Sequence, residues 1–207
     1  MDEGDYAGRG FINWNSLEMM NKRLILGSKS PRRREIMQMA GYDFEALSLD
    51  VEESYPDTLS AWEVAEHLAV KKASAYTPLS NEILITCDTV VILDEEVLEK
   101  PRDFADALQM LNRLNGRQHT VVSGLCIKTS TGLKSLSDRT QVQFLHLTEE
   151  ELTHYIERYK PYDKAGSYGV QEWLGMVGVE YIRGSFYNVM GLPIHRLYQE
   201  LTRELER

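Results

Sequence analysis

Short apolar runs alternate along the chain with stretches whose apolar residues recur every three to four positions. This pattern predicts strands and helices in turn from Arg23 onward. Arg23–Gly27 (RLILG) reads as a buried strand. Ser30 and Pro31 then read as a helix N-cap and first helical residue, with Ile36, Met37 and Ala40 on one face and Gly41 as the stop. Phe44–Leu49 predicts a second strand. Ser60 and Glu63 form a capping-box pattern before a helix to about Tyr76. Ile83–Cys87 and Val90–Leu93 predict two strands interrupted by Asp88-Thr89, and Asp94–Glu96 turns the chain back into Val97-Leu98. Asp103 starts a helix with Ala107, Leu108, Leu111 and Leu114 on one face, ended by Gly116. His119–Lys128 and Ser135–Leu145 alternate about Thr131-Gly132 as a long hairpin. Thr148 and Glu151 cap a further helix over Leu152, Tyr155, Ile156 and Tyr159. Pro161–Glu172 reads as a polar, glycine-containing loop, Val177–Ile182 as a strand and Pro193–Leu205 as a helix. Alternating elements with hairpins predict an α/β fold with a mixed sheet.

Residues 1–20 lack any such period and read as a poorly ordered tail, leaving one domain over 21–207. They have neither a basic nor an apolar segment of the kind a signal peptide needs. No apolar run approaches the ~20 residues of a membrane span. With 207 residues and two cysteines, Cys87 and Cys126, the chain is long enough to bury a core without disulfide or zinc staples. A cytoplasmic setting is the expectation. The net charge of −9 argues against nucleic acid or a membrane as partner.

Against that acidity, residues 21–34 hold six positive side chains and no acid. Cations at the start of a helix are unfavourable unless an anion joins them. The loop Gly27–Arg34 therefore predicts a phosphate site, built from helix N–H groups and bidentate arginines. It is neither a Walker A loop nor a dinucleotide fingerprint. Three acidic elements face this basic one in the sequence: Glu52-Glu53, Asp88 and Asp163. Asp88 is the sharpest, because a carboxylate among buried strands is costly without a cation, a donor or a catalytic task. Each histidine stands alone, so a hard cation of the Mg²⁺ type fits better than zinc. Lys71-Lys72 and Lys100 could reach phosphates.

These residues fall in blocks that resemble the Maf nucleoside-triphosphate pyrophosphatases from about Arg23 to Leu205. The blocks are SKSPRRREIM, VEE, KKA, CDTVV, LEKPRD, NGRQHTVVSG, DKAGSYGVQ and GSFYNVMGLP, in the family's order. The resemblance implies a two-lobed fold of the Maf and inosine-triphosphatase type. Its mixed, twisted central sheet would border a cleft in which a triphosphate is cleaved to monophosphate and pyrophosphate with Mg²⁺ or Mn²⁺. By position it implies that Asp88 is the proton acceptor, with Glu53 beside it at the metal. Ser28, Ser30, Arg33, Lys72 and Lys100 would lie at the phosphates. Arg32, Thr89 and Gln171 would set base preference, in the pattern of the branch acting on dTTP and UTP. Lys29 and Cys87 depart from the small residues usual there. Two other readings use the same residues: a nucleotide-binding regulator of cell division without turnover, and a pyrophosphatase for modified purine triphosphates such as 7-methyl-GTP or ITP. Trp173 and Tyr181, expected to be exposed, are compatible with a homodimer.

Overall fold

The computed structural model describes residues 21–205, and the tail expected at 1–20 lies outside them. The described strands are β1 (Arg23–Gly27), β2 (Glu45–Leu47), β3 (Glu82–Leu93), β4 (Glu96–Leu98), β5 (Gln118–Lys128), β6 (Leu133–Phe144) and β7 (Val179–Arg183). They form one sheet in the order β2-β1-β3-β5-β6-β7, with β4 also on β3. The β1–β2 and β1–β3 pairs are parallel and the others antiparallel, so the sheet is mixed as expected.

The helices are α1 (Pro31–Met39), α2 (Ala61–Ser74), α3 (Phe104–Leu114), α4 (Glu149–Tyr159), α5 (Trp173–Gly178), α6 (Phe186–Met190) and α7 (Ile194–Leu205). Local chemistry fixes where they start. The Ser30 hydroxyl accepts from the Arg33 N–H with Pro31 in the first turn, Asp103 caps α3 through the Asp106 N–H, and Thr148 with Glu151 closes a reciprocal box on α4. Helix α2 covers one face of the sheet with Val64, Ala65, Leu68, Ala69 and Ala73. The other face is covered by α1, α3, α4 and α7 through Ile36, Leu111, Leu152 and Leu197 among others. Each such side chain contributes ~1.5–3 kcal/mol by leaving water.

Strand β3 is the main departure from expectation. It is one strand of 12 residues, not two. Asp88 and Thr89 stay in the ladder, opposite Gly124 and Ser123 of β5. Strand β5 occupies one edge of β3 from Leu84 to Ile92. On the opposite edge β1 pairs only with Glu82–Ile85 and β4 only with Val91–Leu93. Among the described residues, 86–90 therefore have no strand beside them on that edge, and the sheet opens there.

Smaller differences lie at turns. Strand β2 is shorter than Phe44–Leu49, and Val177 belongs to α5, ahead of β7. The loop expected over Pro161–Glu172 contains a 3₁₀ turn at Ala165–Ser167. Tyr181 is 41% exposed as expected, whereas Trp173 is half-buried, packed against the core and edge-on to His154.

Candidate active site

The opening beside β3 is a cleft of about 500 Å³. Its walls are the loop after β1 (Gly27–Arg33), the segment around Glu53, Lys72 of α2, Asp88–Val91, Val97–Lys100, the 163–171 loop and the turn at Met190-Gly191. Every residue to which the family resemblance gives a role lines it: Ser28, Ser30, Arg32, Arg33, Glu53, Lys72, Asp88, Thr89, Lys100 and Gln171. Glu52 does not. Lys71 lies outside as well, but its ammonium donates to the Ser54 carbonyl at 2.7 Å and hydroxyl at 2.9 Å, tying the Glu53 segment to α2.

Strand alternation divides the chemistry between the two faces of β3. Thr86 and Asp88 point toward α2, where the Thr86 hydroxyl donates to the Ala69 carbonyl at 2.7 Å. Asp88, only 7% exposed, accepts a short hydrogen bond from the Lys72 ammonium. The same ammonium lies 2.8 Å from Glu53 Oε1, and the Lys100 ammonium lies 2.9 Å from Glu53 Oε2. Two carboxylates and two ammonium groups thus form one chain of contacts, Asp88–Lys72–Glu53–Lys100. Burial opposes ionisation of Glu53, but hydrogen bonds and charge from Lys72 and Lys100 outweigh it and hold the carboxyl down at about 2.

Cys87 and Thr89 point the other way, toward Gly191. The Arg33 guanidinium is fixed from three directions: Nε donates to the Gly191 carbonyl at 2.8 Å, Nη2 to Thr89 Oγ1 at 3.2 Å and Nη1 to Ser28 Oγ at 3.4 Å. Thr89 Oγ1 also meets Ser123 Oγ at 2.8 Å, and Ser123 donates to the Asn188 carbonyl at 3.1 Å. Sequence reasoning missed the Gly191 carbonyl and Ser123. Both lie in recognised blocks, but nothing in their side-chain chemistry marks them. Arg32 reaches the far wall, where Nη1 pairs with Asp163 at 2.7 Å. Burial opposes ionisation of Asp163, yet Lys164 and Arg32 hold it at about 2. Among the described residues the Gln171 carboxamide oxygen is buried without a hydrogen-bond partner, so it keeps its capacity to accept one once the carboxamide turns it into the cleft.

The model of the family described as "Maf-like protein" matches residues 23–204. The chain belongs to the Maf family. Among curated proteins this Maf chain is similar to a dTTP/UTP pyrophosphatase of Phocaeicola vulgatus, 48% identical over 191 residues, covering 90% of this chain and 99% of that one. The Bacteroides thetaiotaomicron protein of the same name is 47% identical, covering 87% and 95%. That of Flavobacterium psychrophilum is 44% identical, covering 86% and 92%. A solved Ham1 protein of Staphylococcus aureus superposes at a TM-score of 0.44 with 16% identity, over 59% of this chain and 72% of that one. That likeness is too distant to bear on this Maf chain. Among its described residues no helix is long and apolar enough to cross a membrane.

Proposed function

We propose that this Maf protein hydrolyses the α–β phosphoanhydride of dTTP and UTP, releasing the nucleoside monophosphate and pyrophosphate. The observation that carries the reading is the position of Asp88: a nearly buried carboxylate, held by Lys72, opening onto the same cleft as the fixed Arg33. Water attacks the α-phosphorus, the bond to the bridging oxygen breaks, and pyrophosphate leaves with the electron pair. Asp88 accepts the water's proton. Arg33, with the hydroxyls of Ser28 and Ser30 beside it, holds phosphate oxygens through charge-assisted bonds. Lys72 and Lys100, already in the cleft, neutralise the leaving pyrophosphate.

The donor set suits a hard divalent cation. Among the described residues no cluster of three metal-ligating side chains occurs, but Mg²⁺ or Mn²⁺ commonly takes one or two carboxylates and completes its shell from substrate phosphates and water. Glu53 and Asp88 would supply those carboxylates. Such an ion, when bound, would draw charge from the phosphate oxygens. For these carboxylates to serve it, the two lysines must exchange them for phosphate.

At the base end, the Gln171 carboxamide oxygen, turned into the cleft that Gln171 lines, can accept from the N3–H that thymine and uracil share and neutral cytosine lacks. Leaving such a group unpaired costs roughly 1–3 kcal/mol, or about 10–100-fold in kcat/KM. The test compares dTTP, UTP, CTP and 7-methyl-GTP with Mg²⁺ or Mn²⁺, reading pyrophosphate release. We expect dTTP and UTP to lead by at least ~10-fold, and Asp88→Asn to lower turnover by at least ~100-fold. A faster 7-methyl-GTP reaction overturns the base reading. An Asp88→Asn enzyme keeping more than about a third of its turnover removes Asp88 as the base.

A further inference from the structure

Two of the three residues expected to set base preference, Arg32 and Gln171, stand on separate pieces of chain. Arg32 is in the first turn of α1, and Gln171 ends the 163–171 loop. A continuous run of charged contacts joins their surroundings. Arg32 pairs with Asp163 Oδ2 at 2.7 Å, and Asp163 Oδ1 lies 2.8 Å from the Lys164 ammonium. Lys164 in turn lies 3.1 Å from Glu172 Oε1. The other Glu172 oxygen accepts a short hydrogen bond from the Tyr155 hydroxyl. That hydroxyl's oxygen accepts from the Gly169 N–H at 3.0 Å. The chain of contacts thus runs from α1 across the cleft wall to α4 and back to the backbone two residues before Gln171.

Burial makes this chain demanding. Lys164 is 8% exposed, and the Glu172 side chain 18%. At that depth an ammonium or carboxylate without its partner is strongly unfavourable, so each holds the other in place. Glu172 is also pressed against the loop: a Cβ on Gly169 would lie 2.8 Å from Glu172 Cδ. Asp163, Lys164, Gly169 and Gln171 line the cleft; Glu172 and Tyr155 do not.

We infer that Glu172, acting through Lys164 and Tyr155, is a positioning residue for base selection. It touches no substrate. It fixes the loop so that the Gln171 carboxamide and the Arg32 guanidinium keep one spacing across the cleft. Discrimination between bases depends on leaving a wrong base's groups unpaired, and that demands a wall that does not adjust. The contacts that hold Arg33 to Gly191, Ser28 and Thr89, and Lys72 to Asp88, include no member of this run. The inference rests on the base-reading role proposed for this wall.

The experiment uses the full-length protein carrying Glu172→Gln, which keeps size and an acceptor for Tyr155 but removes the charge facing Lys164. Tyr155→Phe is the second variant; it keeps the ring in the core and removes both hydrogen bonds of the hydroxyl. For each, kcat and KM are measured with dTTP, UTP, CTP and dGTP, together with inhibition by pyrophosphate. The expected result is a dTTP-to-CTP ratio of kcat/KM lowered at least about fivefold, mainly through a raised dTTP KM, while dTTP kcat stays within about threefold. Inhibition by pyrophosphate should change by less than about twofold. A purely structural role would lower activity on all four triphosphates alike and weaken pyrophosphate with them; that pattern overturns the inference, as does an unchanged ratio in a folded variant. If Glu172→Gln does not fold, Tyr155→Phe alone decides between these outcomes. If the wild type prefers a base other than thymine or uracil, the substrate reading fails, and the positioning role is judged on the ratio of its own two best substrates. A wild type with no preference overturns both.

Discussion

Arg33 is the side chain whose surroundings say most about its task. Its guanidinium meets a carbonyl from Gly191 and hydroxyls from Thr89 and Ser28, all neutral groups. Among the contacts described, no carboxylate is paired with it, so its charge remains available to an anion in the cleft. Arg33→Ala should weaken triphosphate and pyrophosphate together, by ~1.5–3 kcal/mol for charge-assisted contacts. Inhibition constants for pyrophosphate and Michaelis constants for two different bases would show it; a loss confined to one base would move Arg33 to the base end. Residue types were legible in the sequence because chemistry of this kind leaves few substitutes: a basic loop in an acidic chain, a carboxylate in an apolar run. Partners were not. Thr89 sits beside Asp88 in sequence yet faces Arg33, Ser123 and Gly191, because neighbours in a strand point to opposite faces. The carbonyl that orients Arg33 comes from 158 residues along the chain.

Among the elements, those announced by caps and periodicity matched expectation, as α1, α3 and α4 do. Helices α5 and α6 gave no such signal. They have 6 and 5 residues, too few for a helical period, and glycines at 175, 178, 184 and 191 mark loops as readily as helix ends. The sequence divides β3 into two strands because a charged residue in a buried strand has no visible compensation there; Lys72, supplied by α2, is that compensation. The helix can reach it only because β5 has glycine at 124, where a Cβ would lie 2.2 Å from the Ala65 carbonyl oxygen. That atom is helix backbone and has no flexible end to turn aside. Gly124→Ala should therefore lift α2 off the sheet and cost ~1–3 kcal/mol, as overpacking does. Lys72 lies two helical turns beyond Ala65, so kcat should fall as well. Urea unfolding with parallel assays checks both, and an unchanged midpoint with full activity would show that the helix backbone yields without loss.

Across the whole molecule, one link between pH and folding below neutrality lies away from the residues that would do the chemistry. His119 is buried between Phe144 and Tyr168, with Nε2 2.7 Å from the Tyr168 hydroxyl. Burial lowers its pKa to about 3 from an ordinary 6.5. Between those values the unfolded chain binds a proton that the folded one refuses. Stability therefore rises with pH in that window and is lost as pH falls from 6.5 toward 3, by up to about 1.4 kcal/mol per pH unit. Glu53 acts in the same direction lower down. Its contribution is present above 4.5 and is lost as pH falls toward 2. His119→Gln does not titrate and should flatten the fall in melting temperature between pH 6.5 and about 5, before most carboxylates protonate. An equal slope in both proteins would assign the acid sensitivity elsewhere.

The break in the sheet beside residues 86–90 has a mechanical meaning. Strands β1 and β2 hang from one end of β3 and β4 from the other. Across the gap the sheet is continuous only through β3, β5 and β6. A beam notched on one side bends at the notch, so the curvature of this three-strand span sets how far apart the basic loop after β1 and Lys100 after β4 stand. The strand that presents Asp88 is thus also the flexure that gauges the opening around it.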